Sequence, residues 1–445
     1  MSDQASSPDP ASSAENDEVK AGPPGTGGRL GLGLGRAFRD SVLEGNTITI
    51  TVLAFITAFV IGGLLNAFTN TTVLHAWGNF FSAPGHAIAS AWDTAVGAYV
   101  EMFEGSIINP HTVAALFQQA SIGTAIHDGY LAAVFGPLSE TCVQATPLIL
   151  AGLAVALPYQ AGLFNIGAQS QFIGGIIVAT FLGYGVSLPP FVHVVVCVIG
   201  GFVGGAALGW IVGELKARTG AHEVITTIMF NYIMAYFLAF LLSFPYLMQA
   251  PHTTNEITAA IAGDAHLPHL FGPSLRINAG FLVALACAAG MWWLMTRTTT
   301  GFEFRSIGRN ASAARVAGIN VERTWVLAML LAGGLAGLSG AAVVQGTDFT
   351  LNFQSYGTYG IDAITVALLG FGRPLGVVLA GLLFGALHAG APLMQAVTGT
   401  PVDMVQVLEA VIVLFVAAPL LIRAVFRLRA ARGGVGGVMS KGWNA

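Results

Sequence analysis

The sequence predicts an all-α polytopic membrane protein with about ten transmembrane helices, and two observations support this fold class. Of its 445 residues, 54% are hydrophobic and only 9% are charged, with a mean hydropathy of +0.72. Soluble domains carry about 25% charged residues, so this composition cannot solvate a soluble surface. The second observation is a series of apolar runs, most of them near the ~20 residues with which an α-helix crosses a bilayer.

Ten such runs follow one another along the chain. They cover residues 46–65, 138–157, 162–182, 190–213, 222–246, 278–296, 324–345, 359–372, 374–395 and 404–422. An even number of spans places both termini on the same side of the membrane. The eighth run is short and Arg373-Pro374 follows it at once, which indicates a half-helix or a tight hairpin.

The basic residues predict the orientation. After Arg39 no Lys or Arg occurs until Lys216, and the later ones cluster in residues 216–218, 297–323, at Arg373 and from 423 onward. Cytoplasmic loops are enriched in Lys and Arg, so we expect these clusters and both termini to be cytoplasmic. Arg276 is the exception, in a predicted outer loop.

The segments around the spans differ in composition. Residues 1–40 are rich in Ser, Pro and Gly and predict a disordered cytoplasmic tail before a transmembrane domain over 41–425, and residues 426–445 form a basic cytoplasmic tail. Residues 66–137 contain acids but no base, which predicts an extracytoplasmic insertion with one or two amphipathic helices at the outer surface. This insertion and the outer loop 247–277 are each either a lid or partner-docking site, or a solvated connector.

Polar residues inside the apolar runs are the main indication of function, because they are expensive at membrane depth. The stretch 160–175, QAGLFNIGAQSQFIGG, places Asn165, Gln169 and Gln171 among closely spaced glycines. Irregular backbone and amides there need protein or a water-filled pathway beside them. We therefore predict a broken, polar entry to a span of a transporter, with Asn231 and Tyr232 of the fifth run as further substrate-pathway candidates. The alternative is that these amides only pack the helices together.

The chemistry of these groups suggests the class of solute. No Lys or Arg lies inside the runs, and uncharged donors and acceptors suit a neutral solute rich in hydroxyls or amides. A transporter coupled to H⁺ or Na⁺ needs an ion-binding carboxylate at mid-membrane. Glu140, Asp348 and Asp362 lie at the ends of runs, which argues against that alternative without excluding it, and a passive channel is a third possibility.

Two further patterns predict local structure. Gly201, Gly205 and Gly209, like Gly333 and Gly337, are four residues apart, which predicts close helix packing. In the basic loop 297–323, Asn310 precedes ASAARVAG, which predicts a short N-capped helix ended by Gly318. Such a helix on the inner face suits insertion into a cleft of a cytoplasmic partner. The alternative is a connector whose arginines only set the topology.

Motifs for chemistry are missing from the sequence. It has no G-x-x-x-x-G-K-[ST] phosphate loop, no H-E-x-x-H, no Cys/His cluster and no nucleophile elbow. We therefore expect a transport subunit with no catalytic site, no metal and no cofactor of its own.

Four segments together resemble the permease subunits of nucleoside and simple-sugar ABC importers, in the branched-chain amino acid/ribose type permease superfamily. They are ATPLILAGLAVALPYQAGLFNIGAQSQFIGG (145–175), GELKARTGAHEVITTIMFNYI (213–233), TTTGFEFRSIGRNASAARVAGINVERTWVLAMLLAGGLAGLSGA (298–341) and GIDAITVALLGFGRPLGVVLAGLLFGAL (360–387). The resemblance runs over about residues 138–425. Ser170 and His222 depart from the family pattern, which has Gly and Asn at these places.

The resemblance implies the type II ABC importer permease fold in a bacterial cytoplasmic membrane. It implies three kinds of partner: a separate ABC ATPase on the cytoplasmic side, a second related permease, as a heterodimer, and an extracytoplasmic solute-binding lipoprotein. It also implies that the 309–319 helix is the coupling helix. The implied ATPase-coupling residues are Arg309, Ala313, Ala314, Arg315 and Gly318. The expected activity is ATP-driven import of a neutral solute by alternating access, with a purine nucleoside expected and a simple sugar as the alternative.

Overall fold

The computed structural model describes residues 47–117, 129–353, 357–418, 421–422 and 425–426. Within these ranges the regular elements are helices, and only three isolated β-bridges join extended segments. The predicted fold class is confirmed: the chain is an all-α polytopic membrane protein. The predicted tail over 1–40 and nearly all of that over 426–445 lie outside the described residues.

Fifteen α-helices lie in the described ranges. In chain order they are α1 (Thr47–Thr69), α2 (Thr71–Gly78), α3 (Pro84–Ser106), α4 (Pro110–Phe117), α5 (Tyr130–Gln160), α6 (Ala168–Gly185), α7 (Pro190–Thr219), α8 (Glu223–Leu242), α9 (Ala279–Arg297), α10 (Thr299–Arg309), α11 (Ala311–Val316), α12 (Val321–Val343), α13 (Tyr359–Leu369), α14 (Pro374–Thr398) and α15 (Asp403–Ala417). A π-helical turn, Val344–Asp348, extends α12.

Each of the ten predicted runs coincides with one of these helices. Among the described residues, seven helices are long and apolar enough to cross a membrane, namely α1, α5, α7, α8, α9, α12 and α14. The other three, α6, α13 and α15, have 18, 11 and 15 residues. The predicted start of the third span at 162 was six residues early, because the chain turns at Gly162 and the helix begins at Ala168.

Helix α5 is the central helix of the bundle. About 94% of its most apolar window is buried, and it packs against α12, α13 and α14. Three prolines lie inside it, and proline removes the backbone hydrogen bond of its own nitrogen. The Ser339 hydroxyl of α12 donates to the Pro147 carbonyl at 2.8 Å, so a neighbouring helix bonds to this carbonyl across the interface.

Glycines bring α6, α7 and α12 into backbone contact. A Cβ placed on Gly205 of α7 would lie 2.6 Å from the Gly337 Cα of α12, closer than side-chain carbons approach one another. Only glycine permits this approach, as small-residue spacing in membrane helices predicts. The packing role expected for the glycine ladders is confirmed.

Helix α3 occupies the middle of the predicted outer insertion. Its residues Ala98 and Met102 are buried in the main hydrophobic core, and the Tyr99 hydroxyl donates to the Phe59 carbonyl of α1 at 2.6 Å. A Cβ on Gly390 of α14 would lie 2.8 Å from the Met102 carbonyl carbon. Helix α3 therefore packs along α1 and α14, and its place at the outer surface stays a prediction. The extracytoplasmic position of 66–137 stays a prediction.

The loop 247–277 is folded onto the end of α12. The amide of Leu267 donates to the Gln345 carbonyl at 2.9 Å, and the Gln345 side chain donates to the Ala265 carbonyl at 2.9 Å. Ile261, Ala265 and Leu267 are buried. The loop is thus packed against the bundle and is more than a solvated connector.

Candidate functional site

The break between α5 and α6 is held by two reciprocally bonded amides. Asn165 donates to the Gln171 Oε1 atom at 2.9 Å and to the Ala154 carbonyl of α5 at 3.2 Å, and its Oδ1 accepts from the Gly167 amide at 3.1 Å. Both side chains are fully buried. Asn165 therefore satisfies backbone groups on both sides of the irregular turn, as buried polar groups require.

Asn231 of α8 caps the start of α6. Its Oδ1 accepts from the Ser170 amide at 2.9 Å, and its Nδ2 donates to the Ile166 carbonyl at 3.0 Å. The first amides of a helix have no partner within the helix, and here a side chain from another helix supplies one. Tyr232, the next residue, is 66% exposed and does not join this group.

Gln169 of α6 likewise caps the start of α13. Its Oε1 accepts from the Gly360 amide at 2.7 Å, and its Nε2 donates to the Gly357 carbonyl at 3.0 Å. A Cβ on Gly360 would lie 2.6 Å from the Gln169 Oε1 atom. Beside this contact, the rings of Phe172 and Tyr359 stack with centroids 5.7 Å apart. Each short helix thus begins on an amide that a different helix supplies.

The structure brings together four of the five predicted pathway residues, Asn165, Gln169, Gln171 and Asn231, and leaves Tyr232 apart. The four amides all form hydrogen bonds with protein groups. These contacts agree with the alternative interpretation, in which the amides hold the helices together. Their contact with solute stays a prediction.

A row of polar side chains leads from the loop 247–277 to this group of amides. Arg276 forms an ion pair with Glu140 at 3.0 Å, Gln144 donates to Glu140 at 3.1 Å, and the Tyr359 hydroxyl donates to Gln144 at 3.4 Å. This pairing explains the isolated base of the predicted outer loop. The sequence placed Glu140 and Gln144 one helical turn apart, but nothing in it connected them to residues 276 and 359.

One buried carboxylate was missed. Glu409 in the middle of α15 is 4% exposed, and its Oε1 lies 3.1 Å from the Nε2 of His388 on α14. A carboxylate in the middle of an apolar run was the available signal.

Helices α10 and α11 form a hairpin, Thr299–Val316, in the loop that the Lys and Arg distribution predicts to be cytoplasmic (the cytoplasmic hairpin). It has the geometry predicted for residues 310–318. The Asn310 Oδ1 accepts from the Ala313 amide at 3.0 Å, and Gly318 ends the helix with φ of 87°. Arg309, Ala313, Arg315 and Gly318 are exposed, and Arg315 pairs with Glu322 at 2.5 Å. Ala314 is buried against Ile307 and Val321. Its surroundings are thus those of a packing residue.

The cytoplasmic hairpin touches the α5–α6 break directly. A Cβ on Gly308 would lie 3.1 Å from the Gly162 amide nitrogen and closer still to the Gln160 carbonyl. The Gln160 side chain donates to the Gly372 carbonyl at 2.9 Å, in the turn between α13 and α14. Gln160 and Gly162 therefore connect the hairpin to both short helices.

Among the described residues, no three His, Cys, Asp or Glu side chains form a group that could hold a metal ion. The chemistry available at the break is therefore hydrogen bonding by amides and close backbone contact.

Comparison with known proteins identifies the family to which this chain is similar. The family model described as "Branched-chain amino acid transport system / permease component" matches residues 138–417. The guanosine ABC transporter permease protein NupP of Bacillus subtilis is 37% identical over 310 residues, which are 68% of this chain and 89% of that protein.

Two further relatives are similarly close. The nucleoside ABC transporter permease protein NupB of Lactococcus lactis is 37% identical over 295 residues, 64% of this chain and 80% of that protein. The glucose ABC transporter permease protein TsgB13 of Haloferax volcanii is 36% identical over 299 residues, 64% of this chain and 77% of that protein. No solved structure gives a significant match.

Proposed function

The chain belongs to the family of permease components of branched-chain amino acid transport systems, and we propose that this permease imports a neutral nucleoside. It is the membrane-spanning transport subunit of an ABC transporter, which works with an ATPase and a binding protein. The observation that supports the proposed solute most strongly is the pair of relatives named for guanosine and nucleoside transport, matched over 89% and 80% of their lengths.

The proposed mechanism is alternating access driven from the cytoplasmic side. The ATPase would bind the cytoplasmic hairpin through exposed residues on α11 or next to its ends. These are Arg309, Ala313, Arg315 and Gly318. Support comes from the contact of Gly308 with Gln160 and Gly162. Because packed helices move as rigid bodies between discrete arrangements, a displaced hairpin would shift the α5–α6 break and both short helices.

The remaining partners and the orientation belong to the same proposal. A second related permease would pair with this chain as a heterodimer, and an extracytoplasmic lipoprotein would deliver the solute. Both termini would be cytoplasmic in a bacterial cytoplasmic membrane. The distribution of Lys and Arg supports this orientation.

The test is uptake by the complete transporter, purified through this chain with the subunits that accompany it. In proteoliposomes containing ATP, labelled guanosine should accumulate, unlabelled nucleosides should compete, and glucose should not. Accumulation of labelled glucose but not of labelled guanosine would support a simple-sugar permease, which the relative named for glucose transport favours. Uptake driven by an ion gradient without ATP would contradict the proposed mechanism and support an ion-coupled transporter. Solute flux without ATPase and binding protein would support a passive channel.

A further inference from the structure

Ionisable side chains of α13, α14 and α15 lie near one another. His388 of α14 and Glu409 of α15 form an ion pair at 3.1 Å, and the charge of Asp362 on α13 acts on both. Glu409 is 4% exposed. Among the described residues, its Oε1 atom has no hydrogen-bond partner besides this contact.

The pair lies deep within the helices that hold it. His388 is the fifteenth of the 25 residues of α14, and Glu409 is the seventh of the 15 residues of α15. Ionisable groups at the middle of spans are costly, and where they occur they pair with one another and mark proton or ion sites. Glu140, Asp348 and Asp362 lie at the ends of their apolar runs. His388 and Glu409 instead lie in the middle of their helices.

The chemistry of the pair makes it sensitive to protons. Buried Glu409 as a carboxylate needs a positive partner, and His388 is positive only while both ring nitrogens carry protons. When His388 loses its proton, the carboxylate stays buried beside a neutral ring or takes up a proton itself. Imidazole is the side chain whose charge changes near neutral pH.

A second buried histidine shows the contrasting arrangement. His193 is fully buried, and its Nε2 lies 3.1 Å from the Leu182 backbone carbonyl. A neutral ring satisfies that carbonyl by donating one hydrogen bond. His388 instead faces a carboxylate, so burial alone does not explain its pairing.

We propose that His388 and Glu409 form a proton-binding site that holds α15 against α14 while His388 is protonated. Helix α15 packs mainly against α1 and only slightly against α14, and the ion pair is one of its contacts with α14. The charged group facing His388 from α13 is Asp362, and from α15 it is Glu409. Helices α3, α5 and α9 also pack against α14, and Glu140 of α5 is paired with Arg276.

The first test measures protonation of the full chain in lipid nanodiscs by nitrogen NMR of labelled histidines. The signal lost in His388→Gln identifies His388, and this signal should change from that of the protonated ring to that of the neutral ring as the pH is raised. Glu409→Gln should move its midpoint, whereas the matched control His193→Gln should leave it in place. If His388→Gln fails to fold, the signal that Glu409→Gln alone displaces identifies the residue.

The second test follows the thermal midpoint of the same preparations against pH. The ion pair stabilises the form with protonated His388, so the wild-type midpoint should fall as pH rises through the titration. The thermal midpoint of Glu409→Gln should not fall as pH rises, whereas that of His193→Gln should fall as in the wild type. A His388 ring with one protonation state over the whole range would overturn the proposal. So would a Glu409→Gln variant with the pH profile of the wild type. Neither result depends on the transported solute.

Discussion

Gly308 and Gly162 lie backbone to backbone, with the position of a Gly308 Cβ only 3.1 Å from the Gly162 nitrogen. One glycine belongs to the cytoplasmic hairpin and the other to the irregular turn after α5. Gly162 has φ of 75°, a conformation that glycine adopts without strain. In the proposed mechanism, a movement of the hairpin would reach the spans at these two residues.

Gly308→Ala should separate ATP hydrolysis from transport. The added methyl group meets backbone and cannot be absorbed by a side-chain rotation, so we expect a loss of about 1–3 kcal/mol in the free energy of unfolding. Uptake per ATP hydrolysed should fall in proteoliposomes. Gly290→Ala is the matched control, because a Cβ at Gly290 of α9 meets open space. Equal coupling in the two variants would remove this contact from the mechanism.

Asn231→Ala should destabilise the protein. It leaves the Ser170 amide and the Ile166 carbonyl without a partner, and buried unsatisfied groups cost about 1–3 kcal/mol. Thermal unfolding in detergent measures the loss. Tyr232→Ala, at the exposed neighbouring position, should stay within about 0.5 kcal/mol of the wild type. An Asn231→Ala variant with wild-type stability but no uptake would instead favour direct contact with solute.

Asn165 and Gln171 should behave as one unit in a double-mutant cycle. Because their amides bond to each other, the losses of stability for Asn165→Ala and Gln171→Ala should deviate from additivity by about 0.5–3 kcal/mol. Combining Asn165→Ala with Thr296→Ala serves as the control, since Thr296 bonds within its own helix. Additive losses for the first pair would show that each amide acts on the backbone alone.

Exchanging the charges of Arg315 and Glu322 distinguishes two roles of Arg315: pairing within the chain and contact with a partner. Its ion pair with Glu322 is largely exposed and is worth at most about 1 kcal/mol. The double variant Arg315→Glu/Glu322→Arg restores this pair but reverses the charge offered to a partner. We expect stability close to wild type and loss of ATP-driven uptake. Restored uptake would show that Arg315 acts only within the chain.

The helices and the cytoplasmic hairpin could be predicted from local signals. Apolar length located the ten runs, and Asn310 with Gly318 marked both ends of α11, because capping depends on residues close in sequence. The turn at Arg373-Pro374 was visible for the same reason.

The contacts of the amides could not be predicted in this way. Asn231 meets Ser170 across 61 positions and Gln169 meets Gly360 across 191, and such pairs depend on how helices cross in space. The packing of α3 on α14 could not be predicted, because the polar composition of α3 concealed the small residues at this contact. Glu409 was missed because a single acid barely lowers the mean hydropathy of its run.

The caps that other helices supply to α6 and α13 have a consequence for assembly during synthesis. The N-terminus of α6 is completed by Asn231, which the ribosome adds about sixty residues later, whereas the cap of α13 comes from Gln169, made long before it. The first short helix must therefore wait, incompletely bonded, until α8 is inserted, and the second meets its partner on arrival. Membrane insertion of this chain thus has an interval between α6 and α8 in which the start of α6 lacks the partner that Asn231 supplies.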